Sequence, residues 1–164
     1  MAPNPQGVTD PPALRDASTI AARIARDESA ADAARDTYRR EGLPMLAPGA
    51  DLAALLEPDE ELHAVYPMAM LERGSHEAHD APLPRGGVLV LTSRRLIHHG
   101  AAIVAWPLGE LDEMSVALER LLLLRLDDGD DLAIEVDQPR LLRVQLAAAI
   151  AALRARVVAE RPGA

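Results

Sequence analysis

The chain contains no cysteine, no phenylalanine and no lysine. Without cysteine there is no disulfide, no thiolate metal site and no cysteine nucleophile. The only aromatic residues are Tyr38, Tyr66 and Trp106. The core must therefore be aliphatic, and the chain lacks the exposed aromatic platforms on which single-stranded nucleic acid stacks. Long apolar runs are missing too: the purest, Leu146 to Leu153, is far too short to span a bilayer. The start, Met1-Ala-Pro-Asn-Pro-Gln-Gly, has neither a basic region nor an apolar one, so it does not read as a signal peptide. A soluble cytoplasmic protein is expected.

What is present is strongly biased. All 17 basic residues are arginine, set against 26 acidic residues, for a net charge of -9. The arginine-only set fits the codon bias of a GC-rich bacterial genome better than a selection of guanidinium groups for bidentate anion contacts. The negative balance disfavours nucleic-acid binding, which needs a basic footprint. More weakly, it disfavours docking on an anionic bilayer. Apolar residues make up 49% of 164, enough for one real core plus an appendage.

Residues 1–12 hold four prolines and read as a flexible tail. Residues 13–41 have neither glycine nor proline and predict a helix, with Asp10 as N-cap, Pro11 and Pro12 in the first turn, and Gly42 and Pro44 as the stop. Its apolar stripe (Leu14, Ala17, Ile20, Ile24, Ala31, Ala34, Tyr38) is mostly alanine, so the helix has little area to bury. It should dock loosely, pair with another helix, or break near Glu28-Ser29. Residues 42–54 read as a linker, in which a short helical turn begins at Ala50.

Eight short strands are predicted: Glu61–Pro67, Met68–Glu72, Gly87–Leu91, Arg95–His99, Ala102–Pro107, Met114–Leu118, Leu121–Leu126 and Leu132–Val136. The Asp128-Gly129 pair between the last two is a hairpin turn. The period then changes. Leu142, Leu146, Ile150, Leu153 and Val157 recur every three or four residues, an amphipathic helix with Asp137 as N-cap and Pro139 in its first turn. The fold class is α+β: a small antiparallel barrel or sandwich of about seven strands, capped by a C-terminal helix and preceded by a helical extension.

Residues 55–160 resemble a bacterial PH-like domain, of the GRAM and pleckstrin-homology superfold. The resemblance rests on four elements. They are the acidic entry Leu56-Glu57-Pro58-Asp59-Glu60-Glu61, the run Gly87-Val88-Leu89-Val90-Leu91-Thr92-Ser93-Arg94-Arg95-Leu96-Ile97, the segment Trp106-Pro107-Leu108-Gly109-Glu110-Leu111, and a strand turning at Asp-Gly before the closing helix. It implies a binding or scaffolding role and no catalytic apparatus. It does not choose among lipid, peptide and structural partners.

Candidate residues can be weighed against blander readings. In Thr92-Ser93-Arg94-Arg95, the hydroxyls can cap the turn while one arginine pairs with an acidic neighbour. Alternatively, Arg94 and Arg95, joined at a barrel rim by Arg73 and Arg85, present guanidinium groups to an anion. Adjacent strand positions face opposite ways, which argues against Arg94 and Arg95 forming one site. His76 and His79 are the candidates for metal. Their spacing of three in a loop does not match a zinc-protease helix, so a solvated loop is favoured. His98 and His99 end a strand, one ring in and one out, and His63 has no evident partner. Asp127 to Asp131 is contiguous and flanked by strands, unlike a calcium loop.

The sequence therefore leads to a non-catalytic binding or scaffolding module with a protein partner or homo-oligomer, no cofactor, no metal and no nucleic acid. The alternatives are a phospholipid or membrane-surface module and, behind it, a metal-dependent enzyme at His76 and His79.

Overall fold

Strand β1 (Leu62–Gly74) is the spine of the protein. The computed structural model describes residues 12–74 and 86–160, apart from the side chains of 12–15 and 72–74. Helix α1 (Pro12–Glu41) and a single turn, α2 (Ala50–Ala53), precede β1. After it come β2 (Gly87–Thr92), β3 (Arg95–Gly100), β4 (Ile103–Pro107), a 3-10 turn at Leu108–Glu110, β5 (Leu111–Ala117), β6 (Leu121–Leu126), β7 (Asp131–Glu135) and α3 (Pro139–Ala159). All strand pairs are antiparallel, in the order β4-β3-β2-β1-β7-β6-β5. The fold is α+β, with seven strands in an open sheet between an N-terminal and a C-terminal helix.

The two strands expected over Glu61–Pro67 and Met68–Glu72 are one bent strand. Its first half pairs with β2 and its second half with β7. The bend has a local cause. The register slips between Tyr66 and Ala69, and Met68 takes a left-handed φ of 56°. An inserted residue of this kind bends a strand and lets one strand serve two sheet halves. Pro67 removes a backbone donor at the same place, so the ladder is already interrupted there.

The bend brings the two halves face to face around an aliphatic core. Leu89, Leu91, Leu96, Leu108, Leu122, Leu124, Leu132, Ile134, Leu142 and Leu146 fill it, with Trp106 at one side. Leu132, Ile134 and Val136 alternate inward as expected of a half-buried strand. The edges β4 and β5 are not hydrogen-bonded to each other, and α3 closes the gap by packing on the 3-10 turn, β5 and β6. Of its predicted stripe, Leu142, Leu146 and Ile150 are buried, whereas Val157 is exposed because α3 outruns the sheet.

A second, smaller cluster lies on the outer face of β1–β3. Leu62, Val90 and Ile97 are covered there by Leu52 and Leu56. Leu46 pairs with Leu62 through a backbone bond of 2.8 Å, so the segment after α1 lies along the sheet. His63 has a partner after all. Its Nδ1 lies 2.9 Å from the Pro44 carbonyl, which can only accept, so Nδ1 carries the hydrogen.

Among the described residues no helix is long and apolar enough to cross a membrane.

Candidate functional site

The acidic entry and the β2–β3 turn meet in a closed ion-pair cluster. Thr92 Oγ1 accepts from the amides of Arg94 at 3.2 Å and Arg95 at 2.8 Å, which caps the two-residue turn. Ser93 Oγ accepts from the Glu61 amide at 3.1 Å and ties the turn to the start of β1. Glu60 has a side chain with no solvent exposure, and Arg95 Nε and Nη2 reach its two oxygens at 3.0 and 2.6 Å. The Thr92 hydroxyl and the Glu57 amide approach the same carboxylate at 2.5 and 2.8 Å. Burial pushes the Glu60 carboxyl up. The Arg95 fork, the Glu57 amide and the Thr92 hydroxyl outweigh it and hold the group below the ordinary carboxylate range. The Glu60 hydrogen bonds raise Arg95 in turn.

The two arginines expected to face apart converge. Arg94 lies in the turn rather than in a strand, so the alternation of side chains does not apply to it. Arg94 Nη1 is 3.8 Å and Arg95 Nη1 is 3.2 Å from the two oxygens of Glu57. Arg94 keeps 44% of its side chain exposed and Arg95 keeps 22%. Arg73 pairs through its backbone with Leu132 near the far end of β1. Arg85, His76 and His79 lie outside the described residues. Among the described residues no group of three or more His, Asp or Glu is placed to hold a metal ion.

His98 is fully buried and His99 half-buried, one ring in and one out. His98 Nε2 lies 3.2 Å from the Ala69 carbonyl, and Nδ1 has no partner. Two glycines make room for this ring. A Cβ at Gly87 would sit 2.6 Å from the His99 carbonyl oxygen and 2.9 Å from His98 Cε1, and one at Gly100 would sit 2.5 Å from the Gly86 carbonyl oxygen. The glycines at the ends of the β2–β3 hairpin are thus packing requirements. At Asp128-Gly129 the turn is as expected: Gly129 takes a φ of +86°, and the Asp130 amide donates to Asp128 Oδ1 at 3.0 Å.

The helical layer holds the residues that the sequence did not reveal. Helix α1 is unbroken and packs on α3. Its buried Asp27 accepts from the amides of Arg140 at 2.9 Å and Leu141 at 3.0 Å. These are orphan donors of the first turn of α3, where Gln138 occupies the cap position without a side-chain bond. Asp137, expected as the N-cap, instead pairs with Arg120 at 3.0 Å and is 79% exposed. Further toward the start of α1, Arg23 reaches Glu119 on the β5–β6 turn at 3.1 Å. Further toward its end, Tyr38 accepts from Gln145 Nε2 at 3.2 Å, while Gln145 Oε1 accepts from Tyr66 at 2.5 Å. Burial, with Tyr38 and Asp27 adding to it, pushes the Tyr66 phenol well above its ordinary value. One chain of polar groups thus joins α1, α3 and β1.

Among the described side chains of α1, Asp27 and Ala31 are the only buried ones, and residues 16–22 are exposed throughout, including Ile20 at 40%. No protein-family model matches the chain, and no curated protein matches it either.

Proposed function

We propose that the protein is a non-catalytic binding module of the PH-like type that works by protein–protein interaction, with a second copy of the chain as its partner. The PH-like reading is supported by the strand order around a bent β1, by the closing position of α3, and by the role of the Thr92-to-Arg95 segment as a turn locked to Glu60.

The exposed stretch of α1 over residues 16–22 is the observation that carries the reading. Polar contacts to the rest of the fold run along the seam from Arg23 to Tyr38, and residues 16–22 before it are exposed. Helix α1 carries six arginines and six acidic residues, whereas the whole chain carries -9. Two copies would approach along this balanced helix with less repulsion than along any strongly acidic face. The sheet-side arginines give less support to an anionic surface as partner, because Arg95 is neutralised from within by Glu60 and Glu57.

Sedimentation equilibrium of the full chain tests this. The expected result is a dimer that dissociates on dilution and that Ile20→Glu converts to a monomer without unfolding. A chain of 17.6 kDa at every concentration that instead binds anionic vesicles in a salt-sensitive way would point to the membrane-surface reading.

A further inference from the structure

Between the end of α1 and the middle of α3 lies an open groove of about 730 Å³. That is within the roughly 300–1,000 Å³ common for small-ligand sites. Its floor is apolar: Ala148 and neighbouring alanines of α3, with Met114 of β5 at the side. Arg35 and Arg39 of α1 and Arg143 of α3 stand around it, and among the described residues no carboxylate lines it. In a chain of net charge -9 this is a local reversal of sign. Among the described residues Arg35 and Arg39 pair only with Asp32 and Asp36, both largely exposed, and such pairs are weak and readily rearranged. Arg143 is exposed and has no ion pair among the described residues.

A directed hydrogen-bond chain ends at the same place. Buried Tyr66 has Gln145 Oε1 as its only acceptor among the described residues, at 2.5 Å. This fixes the Gln145 amide with Nε2 toward Tyr38, whose oxygen accepts at 3.2 Å. The opposite orientation would leave the Tyr66 hydroxyl hydrogen buried and unpaired, which is the costlier arrangement. Tyr38 therefore keeps its own hydroxyl hydrogen without an acceptor among the described residues, on a half-buried side chain that lines the groove.

An apolar floor, three guanidinium groups and one spare hydroxyl donor select an anion with an apolar tail. From Arg143 to Ala152 the helix rises about 14 Å, comparable to an extended acyl chain of medium length. We infer that the groove between α1 and α3 binds a single-chain amphipathic carboxylate, with the head at Tyr38 and the arginines and the chain along the alanines of α3. This site is separate from the exposed residues 16–22 of α1, so it stands or falls independently of self-association.

Calorimetric titration of the full chain with dodecanoate below its micelle concentration tests the inference, with acetate and neutral dodecyl maltoside as controls. The expected result is saturable binding of one dodecanoate per chain, with no comparable binding of either control. Arg143→Gln, an exposed substitution that leaves the melting curve unchanged, should weaken binding at least about tenfold, the effect of losing one charge-assisted contact. Tyr38→Phe should weaken it as well. Four results would overturn the inference: no saturable binding, acetate binding as tightly as dodecanoate, wild-type affinity in both variants, or binding that appears only in a dimer and not in the free chain.

Discussion

Asp27 on α1 caps α3 across 113 residues of sequence: its Oδ2 accepts from the Arg140 amide at 2.9 Å. The companion oxygen accepts from Leu141, so both carboxylate oxygens serve a helix other than their own. A negative charge at this position also opposes the positive end of the α3 dipole. The consequence is that α1 and α3 stabilise one another, with directed contacts at Arg23, Asp27 and Tyr38 holding α1 to the domain beside the buried Ala31.

Asp27→Ala should therefore lower the stability of the whole chain by about 2 kcal/mol, the upper range for losing a helix cap. Asp137→Ala, at the position the sequence suggested for the cap, should cost less than about 0.5 kcal/mol, because its pair with Arg120 is exposed. Urea unfolding of the two variants checks both values. Equal losses would contradict the assignment of the cap.

Glu60→Gln should destabilise by about 3 kcal/mol, since it leaves the Arg95 fork without its buried counter-charge. The pH dependence follows from the direction of the shift. Glu60 is held below the ordinary carboxylate range in the fold, so the unfolded chain takes up the proton first as pH falls. Its contribution is complete above the unfolded value and disappears as pH falls through the folded one. Denaturant midpoints measured from neutral to acidic pH should fall more steeply for the wild type than for Glu60→Gln.

Gly87→Ala should cost about 2 kcal/mol or more, because the new methyl meets backbone at 2.6 Å and the buried His98 ring at 2.9 Å. Gly109→Ala meets nothing within 4 Å and should be close to neutral. Thermal melts of the pair separate a packing requirement from the general effect of adding a methyl group.

The Tyr66 phenol is shifted in the opposite sense to Glu60. Its folded value is raised by burial, so the unfolded chain loses that proton first and stability falls as pH rises above the ordinary phenol range. Tyr66→Phe removes this alkaline dependence and should cost about 1 kcal/mol at neutral pH by leaving Gln145 Oε1 without its donor. Unfolding followed at neutral and alkaline pH tests both parts.

Periodic features were legible in the sequence because each is specified by neighbouring residues. The alternation of Leu132, Ile134 and Val136, the helical spacing of Leu142, Leu146 and Ile150, and the Asp128-Gly129 turn all took the form expected. Features that depend on distant partners were not. Thr92-to-Arg95 and the acidic entry were both noticed, yet nothing local says that Arg95 closes on Glu60, 35 residues earlier. The Asp27 cap was hidden for the same reason, and Asp137 offered a plausible local substitute. At Pro67-Met68 the local signal was misleading. A break in the pattern looked like two strands, whereas a bulge with Met68 in the left-handed region lets one strand bend and continue. Alternation also failed for Arg94, because that residue belongs to the turn.

Contact between copies through the first half of α1 is the central expectation for this protein. Hydrogen–deuterium exchange of the full chain, compared at high and low protein concentration, addresses this directly. The expected result is concentration-dependent protection of the amides of residues 16–26, with the β2–β3 hairpin unchanged. Exchange of α1 that does not vary with concentration, or protection confined to the sheet, would contradict it.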